Sequence, residues 1–469
     1  LESTVARRLF MPILTTPAAV PPTPSRLDRA LSVITDVHAG EGANVLLLAG
    51  NIFLLFVFYS ILKVVRDVLI LSEGGAELGS YSAAGQALVL LGLVPAYGAF
   101  ASRVNRMRLI CGVTLFFASH LLLFWFLGAA GVRIGVPFYI WTGVFNIVVI
   151  AQLWAFANDL YSSDRGNRLF PIVNVGASLG AVVGAGLATA VFAGVGAYRL
   201  MIVAAAGIAL STGVTLLVNR RERSSGRDAA GARAEAPLAR TGGFQLVLRE
   251  RYLLLIALLI LVLNLVNTLG GFLLNALIRS EALGQVVPGA VDTTGFTPDQ
   301  LTVLRGLIGT MSGGVQTAVN VGSFLFGAFL VSRVLKYIGV RGALFVLPLV
   351  ALGSYSLIAF LPIFSIVRIA KVLENSTDYS INNTARHALF LPTSREAKYK
   401  AKQAIDTFFW RAGDLAQAVI VFVGLQLSLS VRGFATINIV LVVAWLWLAM
   451  AIAREHKTLT APGQSSLAA

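Results

Sequence analysis

Charged side chains inside long apolar stretches are the residues of this sequence most suited to chemistry. Arg66 and Asp67 lie three and four residues after Lys63, so a helix would place all three on one face. Ionisable groups in a membrane-spanning helix are costly, and they face a cavity or one another. Two cations in such a cavity would attract an anion, because arginine offers forked hydrogen-bond donors and lysine offers a compact charge.

Two further polar stripes lie in apolar stretches nearer the carboxyl end. One runs through residues 368–386 at spacings of three and four, and the other covers residues 406–414. The members of the first are Arg368, Lys371, Glu374, Asn375, Asp378, Asn382 and Arg386, and those of the second are Asp406, Trp410, Arg411 and Asp414. Convergence of these cations with Lys63 and Arg66 would give a cavity with surplus positive charge. Such a cavity suits phosphates, since they present several acceptor oxygens and more than one charge.

The same charges have a structural interpretation. Lys63 could pair with Asp67, and Lys371 with Glu374, in internal ion pairs that hold the helices together. Nearby aromatic side chains also have two interpretations, because they could stack on a nucleobase or face the lipid. These aromatic residues are Tyr59, Trp154, Tyr379 and Trp410.

Several kinds of site find no support in the sequence. The four histidines, His38, His120, His387 and His456, show no metal-ligand spacing, and Cys111 is the only cysteine. No Walker-type phosphate loop occurs, and no serine or cysteine nucleophile lies in a recognisable motif. We therefore predict no metal site, no cofactor and no catalytic site, and hence no enzyme.

The composition is typical of a polytopic membrane protein. Of the 469 residues, 57% are apolar and 13% are charged, whereas soluble domains carry about 25% charged residues. The apolar residues form blocks of about 20, the length of a helix that crosses the lipid bilayer. We predict an all-α fold with twelve transmembrane helices. The predicted spans are 43–65, 80–101, 109–130, 135–159, 169–193, 197–218, 252–275, 305–331, 341–361, 363–385, 403–428 and 432–453.

The distribution of lysine and arginine predicts the orientation of the spans. With both termini inside, the inner segments hold 27 of these residues, and the outer loops hold four. Cytoplasmic loops carry such an excess, so we predict a multi-pass protein of a bacterial cytoplasmic (inner) membrane with both termini in the cytoplasm. The net charge of +15 then reflects topology. A nucleic-acid surface is disfavoured, because the basic residues are scattered over seven segments.

Two pairs of loops indicate an internal duplication. Gly98-Ala-Phe-Ala-Ser-Arg103 is similar to Gly327-Ala-Phe-Leu-Val-Ser-Arg333, and Asp159-Leu-Tyr-Ser is similar to Asp378-Tyr-Ser. Both offsets are about 220–230 residues, so each pair joins spans six apart. We predict two six-helix halves of the major facilitator architecture, with a substrate site between them at the membrane midplane. The predicted segments are an N-terminal tail 1–42, halves 43–218 and 252–453, a flexible cytoplasmic linker 219–251 and a C-terminal tail 454–469.

The N-terminal residues carry two smaller signals. Arg7-Arg8 followed by Leu9 to Leu14 has some features of a signal peptide, but the apolar run is short and contains Pro12. We expect a disordered tail there, or a start at Met11. We also expect a short interfacial amphipathic helix over residues 26–39.

Several strings of residues are similar to those of a known family. Ile61-Leu-Lys63-Val-Val-Arg66-Asp67-Val-Leu resembles a segment of the ATP/ADP carrier family of plastids and intracellular bacteria, in which a substrate-binding lysine stands at the position of Arg66. Further strings that resemble this family are Trp154-Ala-Phe-Ala-Asn158, Arg168-Leu-Phe-Pro171, Asn174-Val-Gly-Ala177, Asp378-Tyr-Ser380 through Pro392, and Lys398-Tyr-Lys400-Ala-Lys402-Gln-Ala-Ile-Asp406. The resemblance extends over residues 43–430 or so.

The resemblance implies transport of nucleotides by exchange of ATP and ADP. Together with the polar stripes, it predicts a secondary transporter for a nucleotide or a related organic phosphate that works by alternating access. The predicted substrate-binding residues are Lys63, Arg66, Asp67, Asn158, Asp159, Arg368, Lys371, Asp378, Arg386, Lys400, Lys402 and Asp406.

Two other functions are compatible with the sequence. A proton-coupled major facilitator transporter of another solute would use Asp67, Asp378 or Asp406 as its proton carrier. A non-transporting membrane module on the same scaffold would bind no anion.

Overall fold

The computed structural model describes residues 25–33, 35–101, 103–161, 163–224, 243–394 and 396–460, and α-helices dominate these ranges. None of these ranges contains a β-strand. The helices are α1 (Arg26–Leu31), α2 (Gly42–Glu73), α3 (Gly75–Ala101), α4 (Arg106–Ala129), α5 (Gly135–Phe145), α6 (Ala151–Leu160), α7 (Ser163–Val195), α8 (Ala197–Ser224), α9 (Gly243–Arg249), α10 (Arg251–Val286), α11 (Pro298–Leu325), α12 (Val331–Phe360), α13 (Phe364–Thr377), α14 (Asn383–Ala388), α15 (Lys402–Ala404), α16 (Trp410–Gln426) and α17 (Val431–Leu459). π-helical turns adjoin them at Asn146–Ile150, Phe326–Leu330, Asp378–Asn382, Ala397–Ala401 and Ile405–Phe409.

Ten segments of the described residues are long and apolar enough to cross a membrane. The prediction of an all-α, polytopic membrane protein is thereby confirmed. One segment, Pro298–Phe360, has 63 residues and covers two predicted spans, with a break at Gly339 where φ is 67° and ψ is 179°. The segment through α13 and α14 is helical but too polar to be among the ten. The count of twelve spans stays a prediction.

The predicted linker 219–251 is helical at both described ends. Helix α8 continues to Ser224, and α9 covers Gly243–Arg249. Residues 225–242, together with residues 1–24 and 461–469 of the tails, lie outside the described residues. The predictions made for those segments concern parts of the chain that the structure does not describe.

The predicted interfacial helix over 26–39 is wrong in its extent, because α1 ends at Leu31. The buried carboxylate of Asp28 accepts backbone hydrogen bonds from Ser25 at 2.8 Å, Gly40 at 3.1 Å and Gly42 at 2.9 Å. Burial by itself raises the pKa of Asp28, but these hydrogen bonds lower it to about 2. The chain after α1 therefore folds back onto Asp28 instead of continuing as a helix.

A buried cluster of charges joins the start of α2 to α7 and α8. The Glu41 carboxylate lies 3.0 Å from Nε of Arg165 and 3.1 Å from Nη1 of Arg168, and Arg165 also reaches Glu222 at 3.6 Å. Burial raises the pKa of Glu41, but hydrogen bonds from Arg168 and His38 bring it below its ordinary value. The cluster fixes one end of α2, the helix that carries the first polar stripe.

Helices α2 and α7 pack backbone to backbone along a stripe of glycines. A Cβ atom added at any of three glycines spaced four residues apart would collide with a carbonyl oxygen of α2. The pairs are Gly176 with Ala49, Gly180 with Phe53 and Gly184 with Val57. Small residues at this spacing allow helices in a membrane to approach closely. The stripe therefore sets the position of α2 against α7.

Replacing Gly180 with alanine should destabilise the protein by about 1–3 kcal/mol, because the new methyl group forces the two helices apart. Gly194→Ala is the matched control, since it lies in the same helix with no atom near its would-be Cβ. Thermal unfolding of the purified variants in detergent measures the difference. Equal midpoints for Gly180→Ala and Gly194→Ala would contradict the proposed close packing.

The N-terminal and C-terminal parts of the chain meet along several helix pairs. Asn320 of α11 donates to the carbonyl of Ala181 in α7 at 2.8 Å, and Gln417 of α16 donates to Ser80 in α3 at 2.8 Å. Arg279 near the end of α10 donates to a carbonyl near the end of α2 at 3.1 Å. These contacts join α2, α3 and α7 of the N-terminal part to α10, α11 and α16 of the C-terminal part.

Candidate functional site

A central cavity of about 420 Å³ lies where α2, α3, α5, α10, α11, α13 and α16 converge. The helices on its two sides come from the N-terminal and C-terminal parts of the chain. Its charged lining residues are Lys63, Arg66, Asp67, Arg411 and Asp414. Aromatic rings of Tyr59, Tyr139, Tyr379 and Trp410 also line it. The cavity thus combines positive charge with flat apolar surfaces.

The α2 side of the cavity carries two cations, of which one is paired with a carboxylate and the other is not. Nε and Nη2 of Arg66 lie 2.8 and 2.7 Å from one oxygen of Asp67, and the guanidinium packs over Tyr139 at 4.9 Å from the ring centroid. Nζ of Lys63 lies 5.9 Å from the centroid of Tyr59. Among the described residues, Lys63 has no hydrogen bond and no carboxylate within 4.0 Å. Lys63 is therefore the lining cation that is available to a ligand.

The α16 side is arranged by a residue of α10. Nη1 of Arg411 lies 3.0 Å from one oxygen of Asp414, and the other oxygen accepts a hydrogen bond from Asn264 at 2.8 Å. The same Asn264 amide donates to the backbone carbonyl of Trp410 at 2.7 Å. Asn264 thereby holds the Asp414 carboxylate and the backbone of α16 at Trp410 beside the cavity.

Amide side chains complete the lining. They are Gln86, Asn146, Asn275, Gln316 and Asn375. The side-chain oxygen Oδ1 of Asn375 is buried and has no hydrogen-bond partner among the described residues. Asn375, Trp410, Arg411 and Asp414 belong to the polar stripes of the sequence, but they were not among the predicted substrate-binding residues. The other four amides were not predicted, because they carry no charge that would have marked them as binding residues.

A comparison with known protein families identifies the family to which the chain belongs. The sequence model of a family described as TLC ATP/ADP transporter matches residues 217–456, which is just over half of the chain. The chain belongs to the TLC ATP/ADP transporter family. It is a secondary membrane transporter of nucleotides, and the resemblance noted in the sequence is confirmed. No curated protein sequence matches the chain.

Solved structures place the TLC-family chain among major facilitator folds. A bacterial homologue of the human lysosomal transporter Spinster, inward-facing and unoccupied, is 15% identical with a TM-score of 0.59 over 90% of this chain and 98% of its own. The nucleoside transporter NupG is 12% identical with a TM-score of 0.58, over 88% of this chain and 99% of its own. A POT family transporter bound to 5-aminolevulinic acid is 14% identical with a TM-score of 0.59, over 88% and 96%. At these identities the likeness shows the fold alone.

Of the twelve predicted site residues, the TLC-family structure brings three to the cavity: Lys63, Arg66 and Asp67. Lys371 instead forms an ion pair with Glu374 at 2.9 Å, and its side chain is 1% exposed. Its ammonium group also donates to the side-chain oxygen of Asn267 at 3.0 Å. All three hydrogens of this ammonium group are thereby engaged, and Lys371 does not line the cavity.

The remaining predicted residues of α13, α14 and the π-helical turn between them also do not line the cavity. Arg368 is exposed beside Ile369, because the opposite face of α13 packs into the helix bundle. Asp378 is buried and accepts a hydrogen bond from Asn382 at 2.7 Å. Arg386 is half-buried with its guanidinium 5.0 Å from the ring centroid of Trp410, so it lies behind a lining residue.

The other five predicted residues lie near helix ends, away from the cavity. Asn158 is exposed, and the exposed Asp159 pairs with Arg106 at 2.7 Å. Lys402 pairs with Asp406 at 2.9 Å. Lys400 lies two residues before Lys402 and is half-buried. The structure does not bring this group together with Lys63 and Arg66.

Proposed function

We propose that this transporter binds the phosphate of a nucleotide, or of a related organic phosphate, in the central cavity and carries it across the membrane by alternating access. The observation that carries the proposal is the unpaired Lys63 beside Arg66 on α2, facing Arg411 of α16 across one cavity. The halves 43–218 and 252–453 would rock about this site, as in transporters built from repeats.

The lining groups suit the two ends of a nucleotide. A phosphate would lie against Lys63 and the remaining N–H groups of Arg66, since hydrogen bonds between ionised groups are the stronger ones. The rings of Tyr59, Tyr139 and Trp410 offer faces on which a base can stack. Amides such as Asn375 can donate to and accept from the edge of a base.

The proposal includes the setting of the protein. The transporter would lie in a bacterial inner membrane with both termini in the cytoplasm, because the lysine and arginine residues concentrate in alternate loops. Exchange of one nucleotide for another is the mode that the family name implies. The protein would transport its substrate without altering it.

Lys63→Gln should weaken nucleotide binding by about tenfold or more. The lysine is the lining cation without a carboxylate partner, and a charge-assisted hydrogen bond contributes about 1.5–3 kcal/mol. The measurement is the dissociation constant of the best ligand from a thermal-shift screen of nucleotides and organic phosphates on purified protein. Uptake of the same ligand into proteoliposomes should fall in parallel.

Arg432→Ala is the control, since this exposed arginine lies in the first turn of α17 and does not line the cavity. Its ligand affinity should equal that of the parent protein. The proposal fails if no nucleotide or organic phosphate stabilises the parent. It fails equally if proteoliposomes show proton-dependent uptake of another solute that nucleotides do not inhibit.

A further inference from the structure

A second pocket lies outside the central cavity, at the end of the helix bundle where α2 ends and α11 begins. It has a volume of about 240 Å³, and both parts of the chain line it. The N-terminal part contributes Glu73 of α2, Arg133 of the loop before α5 and Tyr198 of α8, and the C-terminal part contributes Thr293 and Arg305. None of these five residues lines the central cavity.

The carboxylate of this pocket leaves both arginines unpaired. The two oxygens of Glu73 accept hydrogen bonds from the backbone N–H groups of Ile134 at 3.3 Å and Gly135 at 2.8 Å. Among the described residues, Arg133 and Arg305 have no ion pair and no side-chain hydrogen bond, and Nε of Arg305 is buried without a partner. Two guanidinium groups with free donors therefore share one pocket.

Arg305 is held in place by contacts that do not use its donors. Its guanidinium lies 5.7 Å from the ring centroid of Tyr198, across the boundary between the two parts of the chain. One turn further along α11, a Cβ atom added at Gly309 would lie 2.4 Å from the ring of Phe192 in α7. The start of α11 thus packs tightly against the end of α7, which fixes Arg305 beside the pocket.

We infer that this pocket binds a phosphate group between Arg133 and Arg305, and that the bound group holds the two parts of the chain together at this end of the bundle. Arginine suits such a ligand, because its planar fork of donors matches the oxygens of a phosphate. The hydroxyl of Thr293 offers a further donor. A free phosphate ion and the headgroup of an anionic phospholipid both present this chemistry.

The position of the pocket links its occupant to the movement of the transporter. Alternating access opens the boundary between the two parts at one end of the bundle and then at the other. A phosphate that contacts Arg133 and Arg305 together requires this end to be closed, so it shifts the population toward the closed state. This effect rests on the proposed alternating access, whereas the binding itself does not depend on which solute is transported.

Thermal unfolding of the purified full-length protein in lipid-free detergent, with inorganic phosphate added at constant ionic strength, tests the binding. Phosphate should raise the unfolding midpoint of Lys63→Gln, the variant in which the central cavity is weakened. Adding Arg133→Gln or Arg305→Gln should increase the apparent dissociation constant of phosphate about tenfold or more. Adding Arg432→Gln should leave it unchanged, since this exposed arginine does not line the pocket.

Phosphatidylglycerol added to the same detergent distinguishes the two sources of the phosphate group. If the lipid raises the midpoint and removes the effect of inorganic phosphate, the occupant is a headgroup, and if the effect persists, it is the free ion. The inference is overturned if neither ligand stabilises the protein, or if the arginine variants respond as Lys63→Gln alone does. Arg133 is exposed, so Arg133→Gln keeps the test decisive if Arg305→Gln does not fold.

Spin labels on the two parts of the chain test the effect on movement. Ala130 after α4 and Val291 in the loop before α11 are both exposed, and cysteines at these positions in a Cys111→Ser background carry the labels. The ligand should shift the distances between the labels toward shorter values, and Arg133→Gln should abolish the shift. Unchanged distances with the ligand bound overturn the inference. Nucleotide binding to the central cavity is measured separately, so the proposed function stands or fails on its own result.

Discussion

Lys371→Met should lower the free energy of unfolding by about 3–5 kcal/mol, because it leaves the Glu374 carboxylate buried without a cation. Lys371 and Glu374 are 1% and 3% exposed, and their ionised groups are 2.9 Å apart. The hydroxyl of Tyr355 donates to the same carboxylate at 2.8 Å and cannot neutralise its charge. Denaturant or thermal unfolding of the purified protein in detergent measures the loss.

The double variant Lys371→Met with Glu374→Leu should be more stable than Lys371→Met alone. Apolar residues of similar volume can replace a buried ion pair at little cost, whereas a single removal leaves an uncompensated charge. Arg368→Met is the control on the same helix, since Arg368 is exposed, and it should change stability little. A double variant no more stable than the single one would show that the ion pair is not the source of the loss.

Arg66→Ala should weaken nucleotide binding by more than the tenfold expected for Lys63→Gln. The change removes a cation of the lining, and it also leaves Asp67 without the partner that lies 2.7 Å away. A bare carboxylate would then repel the incoming phosphate. Each tenfold step corresponds to about 1.4 kcal/mol, and dissociation constants for the best ligand of the screen measure the effect.

Arg66→Lys should retain more affinity than Arg66→Ala, because the positive charge stays beside Asp67 while the forked donors are lost. Arg432→Ala serves again as the variant with parental affinity. If Arg66→Ala binds nucleotide as tightly as the parent, then Arg66 and Asp67 form an ion pair with no role in the site, and the structural interpretation of the first polar stripe is correct.

The sequence predicted the architecture and one side of the cavity. Blocks of apolar residues indicated a polytopic all-α protein, because the thickness of the bilayer sets the length of such blocks. Lys63, Arg66 and Asp67 lie within one uninterrupted α-helix, so their spacing placed them correctly on one face. The spacing did not show which of the two cations forms an ion pair with the Asp67 carboxylate. Asp67 pairs with Arg66, and Lys63 stays free.

The polar stripe of α13 and α14 was predicted less well for two physical reasons. Lys371 and Glu374 neutralise each other, and a pattern of charges does not distinguish such a pair from a site. The π-helical turn Asp378–Asn382 also changes the register of the helix. Spacings of three and four residues therefore no longer mark a single face across it, and Arg386 does not continue the face of Lys371. Asn264, which binds the Asp414 carboxylate and the Trp410 backbone carbonyl, carries no charge that would have marked it.

The glycine stripe on α7 has a consequence for movement. Because the backbones of α2 and α7 touch with no side chain between them, the distance between these helices cannot change without losing the contact. They must therefore travel together as a rigid pair whenever the protein changes shape. Lys63 and Arg66 belong to α2 and move with that pair, while Arg411 belongs to α16 on the opposite side of the cavity. Any opening or closing of the cavity then alters the separation between these two groups of cations.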